Sequence, residues 1–239
     1  MTPVTLSYVI PVYNEDPIIE STLEQFVREL ADLADIVRDY EILVIDDGST
    51  DRTAELVESF SSRHPKVRLI RHGKNRGVGQ AIRTGLSQAR MEWFSVNCAD
   101  QPFRTADIRR LEPLFGKNDL VVVCRLDRSA NSFYRKLTSL GNYALIRLLF
   151  RSSIHDFQFA QFYRMSYLSR VNLICRGTLV PPEMILRCLR LGARMSEFWL
   201  PFHPRMGGES KFGHPKHFVM TLREMARLRI RLWKEEKTA

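Results

Sequence analysis

The chain is 239 residues long, 44% hydrophobic and 26% charged, which excludes a disordered polypeptide and leaves room for one or two domains with a substantial core. A formal net charge of +9 favours anionic partners such as nucleic acid, phosphorylated lipid or an acidic membrane face. Cys98, Cys124, Cys175 and Cys188 are widely spaced, with no CxxC pair and no His at finger spacing, so neither a disulfide framework nor a zinc site is expected. No basic segment followed by an apolar one opens the chain. Every apolar run is also broken before the roughly 18 residues that a membrane span needs. A cytoplasmic protein is expected.

Residues 5–13 read as a buried strand, 17–38 as an amphipathic helix and 40–46 as a second buried strand. Ser49-Thr50-Asp51 supplies N-cap chemistry for a helix over 51–63. Residues 67–70 form a third strand, followed by a loop over 74–79, a helix ending near Arg90 and a fourth strand over 93–96. This alternation predicts an α/β fold with a mostly parallel sheet covered by helices on both faces. Asp107 opens a helix to about Phe115, and residues 119–124 extend the sheet. The character then changes: a basic helix over 131–150, an aromatic-rich segment over 154–164, a helix over 181–192 and a strand over 195–203. A boundary near residue 117 divides one continuous sheet into halves, 1–116 and 117–213, with a helix and tail over 214–239.

Two strands run straight into polar turn-formers: Tyr8-Val-Ile-Pro-Val-Tyr-Asn-Glu15 and Tyr40-Glu-Ile-Leu-Val-Ile-Asp-Asp-Gly-Ser-Thr-Asp51. Loops beyond the carboxyl ends of parallel strands form ligand crevices, although Asp-Gly and Asn-rich clusters also serve as plain turns. The pairing closely resembles the opening of the family-2 glycosyltransferases. That resemblance implies that Pro11, Tyr13, Glu15 and Asp47 hold the nucleoside of a nucleotide-diphospho-sugar. A carboxylate accepts hydrogen bonds from a base N–H or ribose hydroxyls, and the Tyr13 ring packs on the nucleoside. Asn75-Arg-Gly-Val-Gly-Gln-Ala-Ile-Arg-Thr-Gly85 matches the family's third motif, in which Gly77 and Gly79 permit close backbone approach and a helix N-terminus favours negative charge.

After the fourth strand the family normally carries Asp-x-Asp, whose carboxylates hold Mg²⁺ or Mn²⁺ on the donor diphosphate. This chain reads Asn97-Cys-Ala-Asp-Gln-Pro102, with Cys98 in the first position and Asp100 in the second. A neutral thiol is a poor ligand for a hard ion, so Asp100, helped by the Gln101 amide, is expected to hold metal more weakly than a full pair. Two outcomes stay open. The ion enters largely on substrate phosphates and activity survives, or the site is degraded and the chain binds nucleotide-sugar as a scaffold.

Arg125-Leu-Asp-Arg128 followed by Ser132-Phe-Tyr-Arg-Lys-Leu-Thr-Ser139 is similar to the polyprenyl-phosphate glycosyltransferases, the dolichol-phosphate-mannose-synthase group. This places Arg125, Arg135 and Ser139 on the acceptor phosphate, where guanidinium forks bind bidentately; a solvated basic helix face is the plainer alternative. Asp156-Phe-Gln-Phe-Ala-Gln-Phe-Tyr-Arg164 resembles the acceptor loop, with Ala160, Gln161 and Phe162 where Gly-Phe-Lys or Gly-Phe-Arg is usual. Glu183 matches the family's acidic helix residue. Pro204-Arg-Met-Gly-Gly-Glu-Ser-Lys-Phe-Gly213 matches a closing loop whose Arg205, Ser210 and Lys211 face the donor phosphates. From His217 to Lys234 a helix carries an apolar stripe of Val219, Leu222, Ala226, Ile230 and Trp233. Beside it runs a basic ridge of Lys216, Arg223, Arg227, Arg231 and Lys234, a pattern suited either to an anionic membrane surface or to packing on the core.

The resemblance covers most of residues 5–213 and implies a GT-A fold with inverting transfer. Asp100, Asp156 and Glu183 are the expected catalytic residues. Asp100 positions the cation, while Asp156 or Glu183 would serve as base only if the acceptor were a sugar hydroxyl, since a phosphate needs none. The expected partners are the nucleotide-sugar, a lipid phosphate or alternatively a saccharide, and an anionic membrane on its cytoplasmic face. Nucleic acid is not expected, because no recognised binding module is present.

Overall fold

The computed structural model describes residues 2–126, 141, 144–201 and 215–238, with side chains in the last segment from 220 to 237. In chain order the elements are β1 (Val4–Val12), α1 (Ile19–Ala31), β2 (Val37–Asp46), α2 (Thr53–Arg63), β3 (Val67–Arg71), α3 (Val78–Gln88) and β4 (Trp93–Val96). A 3-10 turn (Thr105–Asp107) leads into α4 (Ile108–Phe115) and β5 (Leu120–Arg125). Helix α5 (144–150), β6 (Ala160–Arg164), α6 (Met165–Leu168), α7 (Val180–Arg190), β7 (Met195–Leu200) and α8 (Pro215–Thr238) follow.

The strands form one seven-stranded sheet, ordered β3-β2-β1-β4-β6-β5-β7. Only β6 runs against its neighbours, so the sheet is mostly parallel and the GT-A architecture holds. Side-chain alternation divides the interior. On one face Leu6, Tyr8, Ile10, Val12, Val121 and Val123 pack beneath Leu23 and Phe26 of α1, Phe60 of α2 and Leu111 of α4. On the other, Val9, Leu43, Ile45, Val122 and Cys124 pack beneath Ile82 of α3, Met184 and Ile185 of α7 and Met225, Leu228 and Leu232 of α8. Burial on both faces explains why β1 and β2 read as continuous apolar runs.

Two expectations need correction, and one alternative left open is decided. The helix over 17–38 stops at Ala31, because Leu33 and Ile36 turn into the core, the Val37 N–H bonds Leu33 O at 2.7 Å, and β-branched Val37 begins an extended run. The aromatic segment contains the antiparallel strand β6, which pairs Trp93 with Arg164 and Leu120 with Tyr163. The apolar stripe named on the C-terminal helix is not the one that packs: Met225, Leu228 and Leu232 are buried, whereas Leu222, Ala226, Ile230 and Trp233 face outward.

Candidate active site

The register Val12↔Asp46 and Val9↔Val96 brings the loops after β1, β2 and β4 together at the carboxyl end of the sheet. The first two are stitched to each other. Asn14, at φ +54°, donates its N–H to Ser49 Oγ (3.0 Å) and accepts the Thr50 N–H on Oδ1 (2.8 Å). The Glu15 N–H bonds Thr53 Oγ1 at 2.8 Å, and the Asp16 N–H bonds Asp51 Oδ2 at 3.2 Å. Asp51 also receives the Thr53 N–H at 2.9 Å from its place just before the Arg52 N-cap, so one carboxylate ties the start of α2 to the β1 loop. Pro11, Tyr13 and Glu15 stand half-buried along this rim.

Asp47 is 4% exposed and binds the third motif from below. Its Oδ1 accepts from His72 Nδ1 (2.7 Å) and the Arg76 N–H (3.0 Å), and its Oδ2 from the Gly77 N–H (2.7 Å). His72 Nε2 reaches Thr84 Oγ1 of α3 at 2.9 Å. Hydrogen bonds to a charged group contribute about 1.5–3 kcal/mol each, so Asp47 fixes the loop over 74–77 whatever else it holds. Gly77 sits at φ +87°, a conformation that favours glycine, with no protein atom beside its α-carbon, and its N–H is given to Asp47. Gly79 lets α3 approach the protein's own Arg176 and Gly177 backbone. Gly48, at φ +77°, lies where a β-carbon would come within 2.5–2.7 Å of the Lys74 and Asn75 backbone.

The β4 loop hangs from Asn97, whose amide nitrogen donates to Tyr8 Oη and Phe103 O (both 2.8 Å) and whose Oδ1 accepts the Cys98 N–H (3.0 Å). Burial pushes the Tyr8 hydroxyl well above the ordinary tyrosine range, so it stays neutral as a buried partner. Thr22 Oγ1 of α1 holds Ala99 O at 2.9 Å. This framing leaves Cys98 exposed and Asp100 half-buried. Gln101 turns inward at φ +44°, 4% exposed; its amide nitrogen lies 3.4 Å from Thr22 O and its oxygen is enclosed without a hydrogen-bond partner. Among the described residues no group of three or more His, Cys, Asp or Glu is placed to hold a metal ion.

Across β6, Arg125 ends β5 at the same edge, its Nε 2.7 Å from Asp156 Oδ2 and an Nη 3.2 Å from Oδ1. Asp156 is fully buried and also accepts the Gln158 N–H at 3.0 Å, and the Arg125 guanidinium lies 5.7 Å from the Phe159 ring centroid. Glu183 is likewise fully buried. It accepts the N–H groups of Ile174 (2.9 and 3.0 Å) and Cys175 (2.7 Å) and Arg187 Nε (2.8 Å), which leaves such a carboxylate no face for a substrate hydroxyl. Its task is to hold the loop over 174–178, which Arg83 also grips by donating Nε and an Nη to Cys175 O at 3.0 and 2.6 Å. That loop touches Gly79 on one side and receives Gln158 on Thr178 O at 3.4 Å on the other, so it links the start of α3 to the segment before β6. Arg135, Ser139, Arg205, Ser210 and Lys211 lie outside the described residues.

His72, Asn14, Asn97 and Arg83 were not singled out from the sequence. The only signal for them was position, directly after a strand or on the first turns of α3. Burial pushes the Cys188 thiol up to about 12 and, with Glu183 adding to it, raises Cys175 as well, so neither is a nucleophile.

Residues 7–171 match the family described as Glycosyl transferase family 2. A dolichyl-phosphate beta-glucosyltransferase from Dictyostelium discoideum is 32% identical over 169 residues, covering 64% of this chain and 51% of the relative. A dolichol-phosphate mannosyltransferase from Pyrococcus furiosus is 33% identical over 141 residues, covering 57% and 38%. The chain spans about half the length of the curated relatives it matches first. Glucosyl-3-phosphoglycerate synthase from Mycobacterium tuberculosis, solved with Mn²⁺, uridine-diphosphate and glucosyl-3-phosphoglycerate, shares the fold: TM-score 0.65 over 94% of this chain and 78% of that one, at 18% identity. The matched residues take in β1 to β6 with the rim, the Asp47 latch and the Arg125–Asp156 pair, and the chain belongs to glycosyl transferase family 2.

Proposed function

We propose that this glycosyltransferase moves a sugar from a nucleotide-diphospho-sugar to a polyprenyl phosphate with inversion at the anomeric carbon, working at the cytoplasmic face of a membrane. In this reading residues 1–116 carry the donor and 117–213 the acceptor. Free thiols throughout suit a reducing compartment. Among the described residues no helix is long and apolar enough to cross a membrane. The dolichyl-phosphate relatives support a lipid-phosphate acceptor.

The carrying observation is that both carboxylates eligible as a base are consumed: Asp156 by Arg125, Glu183 by two backbone N–H groups and Arg187. A hydroxyl acceptor must lose a proton as it attacks, whereas a phosphate oxygen arrives already charged. Tyr13 and Glu15 receive the nucleoside on the rim, with Pro11 shaping its floor, and Asp47 holds the Gly77 loop beneath. Asp156 fixes Arg125 so that its guanidinium meets the acceptor phosphate in one orientation, joined by Arg135 and Ser139. Arg205 and Lys211 meet the donor phosphates. The acceptor oxygen forms its bond to the anomeric carbon as the bond to the diphosphate breaks, and the electron pair leaves with the nucleoside diphosphate.

Asp100 would hold a divalent ion, Mg²⁺ or Mn²⁺, with its carboxylate, while the Gln101 oxygen is enclosed. Such an ion would offset charge on the leaving diphosphate, and the synthase solved with Mn²⁺ and uridine-diphosphate supports this reading. The test is a panel of UDP- and GDP-sugars with undecaprenyl or dolichyl phosphate, with and without Mn²⁺, scored by nucleoside diphosphate release. Release that requires both lipid phosphate and cation supports the proposal; release with saccharide acceptors alone, or with none, overturns it.

A further inference from the structure

Helix α8 sorts its charges by direction. Its acidic residues are tied to the body: Glu224 accepts the N–H groups of Arg176 (2.8 Å) and Gly177 (3.1 Å), Glu236 pairs with Arg190 (2.5 Å), and Glu235 pairs with Arg187 (2.9 Å) while also meeting Arg231 of the helix itself (3.1 Å). Between them Met225, Leu228 and Leu232 are fully buried. Round the helix from this seam runs a solvent-facing apolar stripe of Leu222, Ala226, Ile230 and Trp233, all exposed, with Ile230 at 56% and Trp233 at 45%. A basic residue follows each in sequence: Arg223, Arg227, Arg231 and Lys234, also exposed. Lys237 lies 3.8 Å from the Trp233 ring centroid. The core does not need this stripe, since the 225/228/232 stripe already seats the helix.

We infer that the outer face of α8 is a docking surface for an anionic lipid bilayer. Ile230, Trp233 and Leu222 enter the boundary between headgroups and acyl chains while the arginines stay among lipid phosphates. A second copy of the chain is the poorer occupant, because pairing two such faces would set Arg223 and Arg227 of one copy against the same residues of the other. Nucleic acid offers nothing to the apolar stripe. The geometry also gives the contact a purpose, one that rests on the lipid-phosphate reading of the active site. Glu224 grips the loop that packs on Gly79 beside the donor rim, so a bilayer lying along α8 meets the mouth of the site at that end of the helix.

The experiment is co-flotation of the whole chain with phosphatidylcholine vesicles, with and without phosphatidylglycerol, in the absence of donor and acceptor. Binding is expected only with the anionic lipid and falls with salt. Arg223→Gln with Arg227→Gln should weaken it roughly thirty-fold, at about five-fold per charge, and Ile230→Ser with Trp233→Ser should abolish it. Both pairs are surface changes, and unchanged unfolding midpoints establish that they fold. The proposal is overturned by equal binding to neutral vesicles, by variants that float like the parent, or by self-association in sedimentation velocity that Ile230→Ser with Trp233→Ser removes. Transfer to a water-soluble short-chain lipid phosphate separates the two claims. Intact transfer without vesicle binding defeats the docking surface alone, and vesicle binding without any transfer defeats the acceptor reading alone.

Discussion

Glu183→Gln separates a structural carboxylate from a catalytic one. The native side chain receives three N–H donors from Ile174, Cys175 and Arg187 with no exposure to water, so the amide variant must turn an NH₂ toward at least one of them. Removing one partner of a buried ion pair typically costs about 3–5 kcal/mol. Here the lower end applies, because Arg187 keeps Glu235 at 2.9 Å as a second counter-charge. At about 2–4 °C per kcal/mol for a chain of this size, the melting temperature should fall by roughly 6–12 °C. Urea unfolding gives the stability change, and initial rates at low temperature, where the variant is still folded, give the activity. The expected result is a large loss of stability with at least a substantial part of turnover retained. A variant as stable as the parent with turnover reduced a hundredfold or more would refute this and return Glu183 to the role of base.

Gly48→Ala forces a β-carbon into the Lys74–Asn75 backbone at φ +77°, costing about 1–2 kcal/mol from the conformation alone. Calorimetry should show nucleoside diphosphate affinity down by an order of magnitude or more, and unchanged affinity would separate this loop from the donor site. Cys98→Asp restores a second hard ligand and should lower the metal concentration for half-maximal turnover by roughly tenfold, while Asp100→Ala should remove metal-dependent turnover. If neither moves the metal titration, the cation does not sit on this loop. Burial alone would raise the Asp119 carboxyl, but hydrogen bonds and charge from Arg194, aided by Arg164, hold it below the usual range. With the folded value below an unfolded value of about 3.9, its contribution is complete above about pH 4 and is lost as pH falls through the folded value. Asp119→Asn should therefore flatten the acid limb of stability measured by urea unfolding below about pH 4, and a limb of unchanged slope would count against the pairing.

The strands leading to the rim were legible because their signal is local: apolar runs of strand length ending in Asn14-Glu15 and Asp46-Asp47-Gly48. What lay beyond depended on partners distant in sequence. Asp156 and Glu183 looked alike as candidate bases, and only Arg125, 31 positions away, and the backbone of 174–175 distinguish their tasks. Strand β6 escaped notice because both its faces are buried, with Phe162 and Tyr163 on opposite sides, so no alternation marked it. In α8 two apolar stripes share helical spacing, and periodicity alone does not say which one the core takes. The role of Gly79 was similarly hidden, since a glycine kept for contact with the chain's own backbone reads like any other in a sequence.

The most direct measurement supplies a radiolabelled nucleotide-sugar and polyprenyl phosphate, with divalent cation, to the parent chain and to Asp100→Ala, and follows the label into organic solvent. The account predicts label in a lipid-phosphate-linked sugar of inverted anomeric configuration for the parent and none for the variant. Label released as free sugar, carried to a saccharide, or transferred equally by Asp100→Ala would contradict it.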